Sequence, residues 1–464
     1  MVVPSLCLTV SAALRQVETT VVLEQLGSTL FDTALLMVVK DRSANASYPG
    51  SHLSREESEQ KAMSDFYMTF NLILRLTPIL PSLLLARLGD RGWRKVPIVV
   101  PLCGYLLARL GLLLVVVLRL PLQVMFGAAV LYELCGGYCS FWPGVITLTS
   151  IGTTAKDRSK VSVLPLILEL LYGLAGLVGS LVSGHLFLLY SSSLGNGTIL
   201  LIVSILLHLL SLLHSIVLLQ VSVHVRKVSS GSNRELECCP ILDVDAPEEV
   251  PAKINMPNVV LLFVAAILYN SAVGGAVELL GVFVMKEPLS WTATQVGYGN
   301  AAGCMIFITS FLGLMVFRRC INDVMLVLVG MVSFATGIYF MSFVTKTYLF
   351  YLARSLNLFA LIPMPTIRSL LSKQVPASSC GITLTSLQLS LKFAGLVYIP
   401  TFTKLYQRTL DWLPGFVFLL SSILTVLGMI PVRWAAAALI LCFHFIWIHN
   451  YFSMEKFQKA SIIS

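Results

Sequence analysis

The chain has 464 residues, of which 56% are hydrophobic and only 12% charged, with a formal net charge of +9. A soluble domain carries about 25% charged residues, so too little polar surface exists here to cover a globule of this size, and lipid must do the covering. The positive excess does not point to nucleic acid, because the basic residues cluster in short loops between apolar runs, where they set orientation and meet anionic headgroups. The cysteines show no metal-ligand spacing, so no metal is expected. Without a Gly-rich phosphate loop or a nucleophile–base pair near water, the chain does not read as an enzyme.

Residues 1–16 form a short N-terminal tail with no basic start, which does not read as a cleaved signal peptide. A span needs roughly 20 apolar residues, and Val17 to Val39 meets that as span 1, with Glu18, Glu24 and Asp32 in it or near its ends. The polar loop Lys40 to Lys61 holds Asn45-Ala-Ser47, a glycosylation acceptor useful only on the outer or lumenal face. Phe66 to Leu88 is span 2, interrupted by Pro78 and Pro81 and carrying Arg75. Arg87 to Lys95 then gathers Arg87, Arg91, Arg94 and Lys95 around the single carboxylate of Asp90. Such a loop cannot lie in lipid, where each central charge costs roughly 2.5–3.5 kcal/mol. Its basic excess marks the cytoplasmic side, which puts Asn45 outside, so two independent signals agree.

Span 3 is Val96 to Leu118 with Arg109 deep in its length, and span 4 is Val124 to Ile151 with Glu133 and the pair Gly136-Gly137. Lys156 to Lys160 is again a basic inner loop. Span 5 is Val161 to Leu189, followed by a second acceptor pattern, Asn196-Gly-Thr198, in an outer turn. Span 6 is Ile199 to Val223, whose His208 and His214 read as hydrogen-bonded core residues. Residues 224–258 are polar, acidic towards the end and rich in proline, and read as a disordered cytoplasmic linker.

The second half, residues 259–432, repeats the arrangement. Its spans are Val259 to Met285, Val296 to Phe317, Val324 to Val344, Tyr348 to Leu371, Ile382 to Leu405 and Pro414 to Val432. The fold expected is an all-α polytopic membrane protein with twelve helices in two six-helix halves (17–223 and 259–432), both termini cytoplasmic. Two such halves rock around a site near the bilayer midplane. Residues 433–464 form a C-terminal extension. Its aromatic stretch Trp434 to Phe452 prolongs the last helix or lies in the interface.

Within the spans, Glu169 is the sharpest signal. It lies eight residues into span 5, about 12 Å along the axis. Gly173, Gly176, Ser180 and Gly184 follow at helical spacing, a face of small residues that admits another helix closely. The carboxylate therefore faces protein or a water-filled cavity. It either couples a proton to transport or makes a structural hydrogen bond. Glu278 in span 7, near Gly274-Gly275, lines the substrate cavity or serves structure. Arg368 follows Pro363 and Pro365 in span 10. Those prolines free backbone carbonyls and let the helix bend, as at a gate, with an arginine snorkelling to the interface as the alternative.

Several of these strings resemble known families. Ala86-Arg-Leu-Gly-Asp90-Arg91-Gly-Trp93-Arg94-Lys95 is similar to the loop between spans 2 and 3 of the major facilitator superfamily, with Ala86 and Trp93 where that family usually has glycine. The resemblance implies Asp90 as a conformational switch carboxylate with Arg91 and Arg94 as its partners. A solvated loop that only sets orientation is the alternative. Glu169-x-x-x-Gly173-x-Ala175-Gly176, Ser180-Leu-x-x-Gly184-His185, Gly297-Tyr298-Gly299-x-Ala301, Thr309-Ser310-Phe311-Leu312 and Ile367-Arg368-x-x-Leu371-Ser372-Lys373 resemble solute carrier family 46, the proton-coupled folate transporter family. The resemblance runs from about Val17 to Pro431.

It implies a symporter of the plasma or endosomal membrane that imports organic anions such as antifolates, muropeptides and related immune ligands. Glu169 would carry the proton, which is the coupling ion, with no other cofactor. Glu278, Pro363, Pro365 and Arg368 would line or gate the cavity. Two departures argue against folate itself. The family's span-7 histidine falls at Val273, and its outer disulfide is missing, since Ser290 precedes Trp291 and the first loop has no cysteine. The competing class is a transporter-shaped receptor or scaffold that binds a ligand without moving it.

Overall fold

The computed structural model describes residues 17–44, 54–151, 158–194, 197–219, 256–375 and 377–435. The two acceptor asparagines, Asn45 and Asn196, lie outside these residues, as do the tail 1–16, most of the linker and the chain after 435. Among the described residues, eleven helices are long and apolar enough to cross a membrane. Span 10 completes the twelve as two shorter pieces, Thr347–Leu356 and Pro363–Ser372.

Helix ends differ from the expected ones where polar capping outweighs hydropathy. Span 1 runs Val17–Ser43 and span 2 starts at Arg55, so the polar loop expected over Lys40 to Lys61 is shorter. At Ser54 a reciprocal cap forms. The Glu57 N–H donates to the Ser54 hydroxyl at 3.2 Å, and the Ser54 N–H donates to the Glu57 carboxylate at 2.7 Å. Two donors otherwise left open at the helix start are thereby satisfied. Thr292 and Gln295 cap span 8, Ala293–Phe317, in the same way.

Three spans are interrupted, the first two at proline or glycine. Span 2 stops at Leu76 and resumes as Ile79–Asp90, because Pro78 supplies no N–H to the ladder. Span 4 stops at Leu134 and resumes at Gly137, with Gly136 and Gly137 at φ +92° and +50°. A side chain would be strained at both.

The third interruption, in span 10 at 357–362, exposes backbone groups that lipid could not satisfy, and hydroxyls of spans 7, 8 and 9 take them up. Ser310 and Thr309 donate to Leu358 O at 2.8 and 2.9 Å, and the Leu361 N–H donates to Ser310 Oγ at 3.1 Å. Ser333 donates to Leu356 O at 2.6 Å, and Tyr269 donates to Ala360 O.

The halves meet most closely at the end opposite the basic loop. Spans 5 (Arg158–Leu194) and 8 run against each other. A Cβ on Gly297 would stand 2.6 Å from Ser180 O, and one on Gly184 2.6 Å from the Thr294 Cα. Nearby, Asp65 pairs with Lys404 at 2.7 Å, Glu56 with Lys286 at 3.6 Å, and Tyr406 donates to Gln60 at 3.1 Å. At the basic-loop end, Ile79–Asp90 packs on spans 3 and 4, and Pro363–Ser372 on spans 7, 9 and 11, each within its own half. The seam is stitched at one end and loosest at the other.

Candidate transport pathway

Glu169 is half-buried on the face of span 5 that turns to the other half, where Gly173 lies on Phe307 and Ile308 and Gly176 on Cys304. Across the seam its electrostatic partner is Arg368. Among the described residues the two make no direct ion pair. With the Gln388 amide turned to satisfy its surroundings, Arg368 donates to its oxygen at 2.9 and 3.1 Å. A carboxylate in one half thus faces a cation in the other that a third side chain holds in place. Pro363 starts the segment that carries Arg368, and Pro365 lies in its first turn.

Glu278 lies between the halves. Arg75 of span 2 reaches it at 3.0 Å and the Tyr398 hydroxyl of span 11 at 3.3 Å, so this contact joins the halves. A small pocket with Tyr67, Asn71, Glu278, Phe402 and Thr403 in its wall adjoins the pair. Lys392 donates to the Cys139 sulfur at 2.9 Å and faces Glu133.

In the first half, Ser28 donates to Glu24 at 2.8 Å and accepts from Arg109 at 2.9 Å. The Arg109 guanidinium lies 4.3 Å over the Phe31 ring and 4.6 Å over Tyr105. Such ring faces stabilise a desolvated cation by about 2 kcal/mol. His208 Nδ1 meets Ser204 O at 2.8 Å and His214 Nδ1 meets Thr20 Oγ1 at 2.8 Å, both hydrogen-bonded core groups as the sequence led one to expect. Asp32 of span 1 keeps an exposed side chain.

The switch-loop residues stand apart from this cluster. Asp90 closes the helix Ile79–Asp90, and its side chain lies outside the described ones. Arg91 caps that helix and is exposed, Gly92 turns at φ +103°, and Arg94 is half-buried. The sequence reading missed Arg354 in the first piece of span 10. Its signal was a charge six residues inside an apolar run. Among the described residues no group of His, Cys, Asp and Glu is placed to hold a metal ion.

At the stitched end, Asp411 sits in the turn before span 12, and its hydrogen bond with Glu57 holds its carboxyl above the ordinary aspartate range, opposed by the Lys286 ammonium. Glu56 also faces that ammonium. A raised carboxyl stabilises the arrangement that raises it below its ordinary pKa, and this is lost as pH rises through the raised value. The same bond holds Glu57 below its ordinary range, so it is mild acid on this side, between the lowered and the raised value, that is expected to favour the stitched arrangement, and D411N should remove that dependence. Distances between spin labels on Ser54 and Leu413, followed from acid to neutral pH, check this. An unchanged titration in D411N would assign the effect to another group.

No family model matches the chain. Among curated proteins it is 41% identical over 448 residues to solute carrier family 46 member 2 of Canis lupus familiaris, covering 90% of this chain and 92% of that one. It is 28% identical over 412 residues to the lysosomal proton-coupled steroid conjugate and bile acid symporter SLC46A3 of Gallus gallus, covering 84% and 86%. Among solved structures, the human organic anion transporter MFSD10 aligns with a TM-score of 0.56 at 13% identity over 90% of this chain and 99% of that one. The Escherichia coli fucose:proton symporter FucP aligns at 0.54 and 12% over 91% and 98%. These two likenesses show the fold.

Proposed function

The chain belongs to solute carrier family 46, a family of membrane transporters with the major facilitator fold and not of enzymes, and on that premise we propose that it is a proton-coupled symporter importing organic anions by alternating access. The observation that carries this reading is Glu169 facing Arg368 across the seam without being bonded to it. A nearby cation favours the ionised carboxylate, and its withdrawal favours the protonated acid. As the halves tilt, the distance between the two side chains changes, so proton uptake and release follow the tilt. In this reading the basic loop faces the cytoplasm, Asp90, Arg91 and Arg94 act as a latch there, and the stitched end faces outward or into an endosome.

The charges in the span interiors favour transport over a receptor or scaffold, since a binding-only protein has no use for a cation whose distance to a carboxylate varies. Substrates of the class implied are antifolates and muropeptides. The relative named for steroid conjugates and bile acids adds these as a third kind of substrate, for which a sulfated steroid serves as the probe. The test is uptake of a labelled antifolate into cells expressing the protein, with acid or neutral medium, and a muropeptide and a sulfated steroid as competitors. Accumulation driven by outside acid and reduced by a competing anion is expected. Equal accumulation at both pH values would remove the proton from the mechanism.

A further inference from the structure

The cations of the span interiors differ in whether they have partners. Arg75 holds Glu278, Arg109 holds Ser28 beside Glu24, Lys392 meets Cys139 and faces Glu133, and Arg368 holds Gln388 while facing Glu169. Arg354 is the exception. Among the described residues it makes no ion pair and no hydrogen bond, and its Nε is buried without any acceptor. Its contacts are the Phe350 ring, 5.7 Å from the guanidinium carbon, and Gly303 of span 8, where a Cβ would stand 3.2 Å from Nη2. Among the described residues no carboxylate contributes to its electrostatic surroundings, in which Cys304 is the one titratable side chain.

A guanidinium is expensive to desolvate, and in a membrane protein such a group without a counter-charge marks a ligand path. Arg354 is half-buried, set between the Phe350 ring and Gly303 of span 8, with its Nε enclosed. Gly176 on span 5 touches both Gln25 of span 1 and Cys304, which puts Arg354 at the level where spans 1, 5, 8 and 10 converge.

We propose that Arg354 is the anchor for the oxyanion headgroup of the transported substrate, a carboxylate or a sulfate whose charge completes the pair the protein leaves open. The assignment rests on the transport reading above and adds to it which cation meets the anion. Arg368, which the resemblance places in the cavity or its gate, already donates to Gln388 and faces Glu169. The planar guanidinium presents paired donors that an ammonium cannot reproduce. The expected order of affinity for the anion is therefore arginine, then lysine, then glutamine.

The experiment measures acid-driven uptake of the antifolate and of the sulfated steroid by wild type, R354K and R354Q, with the antifolate's neutral diester as competitor. R354Q is expected at normal surface level with KM for the charged substrate raised about tenfold or more. Wild type should prefer the acid over its ester, R354K less so, and R354Q not at all. Whichever probe shows this dependence identifies the headgroup class. An unchanged KM and preference in R354Q would overturn the assignment while leaving the transport reading intact. Equal losses for acid and ester would also overturn it, as a purely structural role. Failure of wild type to take up either anion would instead bring down the transport reading and this assignment with it.

Discussion

E169Q should reach the membrane normally and lose the acid-stimulated part of uptake, leaving the neutral-pH component. The amide keeps the size and hydrogen-bonding capacity of the carboxyl, so the close packing of Gly173 and Gly176 against span 8 is preserved. What it removes is the choice between two protonation states. A one-unit change in proton affinity is already worth roughly 1.4 kcal/mol, and abolishing titration removes the whole difference. The stimulated component should therefore fall by about tenfold or more, read as initial uptake rate against outside pH. A variant with the wild-type pH profile would take Glu169 out of the coupling role.

G184V should have an effect as large by another route. The Gly184 Cβ would meet the Thr294 Cα at 2.6 Å and the Ala293 carbonyl oxygen at 2.8 Å, and both are backbone atoms that cannot swing aside. Spans 5 and 8 would have to separate at the stitched end. Overpacking costs about 1–3 kcal/mol, and applied to one of two states it changes their ratio by about 5- to 150-fold. Uptake should fall accordingly. Cysteines placed at Glu56 and Lys286, whose side-chain ends meet at 3.6 Å, should be bridged by a short bifunctional thiol reagent readily in the parent and poorly with valine at 184. Undiminished cross-linking would mean that this glycine contact does not control closure.

Much of this fold was legible because hydropathy and charge act over whole spans. Pro78 marked the interruption of span 2, whereas spans 4 and 10 read as single runs, Val124 to Ile151 and Tyr348 to Leu371. The break in span 10 could not be located from the prolines, since it depends on hydroxyls of Ser310, Thr309, Ser333 and Tyr269 arriving from other helices. The same limit applies to the pairing of charges. Arg75 and Glu278 are far apart in sequence, and no local pattern announces that they meet. The small-residue face of span 5 was readable and does receive span 8. Arg354 escaped notice because its importance lies in lacking a partner, which only three dimensions can display.

The gap in span 10 separates Arg354 from Arg368. Between them the chain has no continuous helical ladder and is tied instead to serine and threonine side chains of neighbouring helices. A rigid rod would force any shift at one arginine upon the other. In the mechanism proposed above, a jointed one would let the upper cation close on cargo while the lower keeps its own distance from Glu169. Loading and proton release would then happen in sequence, with the hydroxyl ties as the pivot between them.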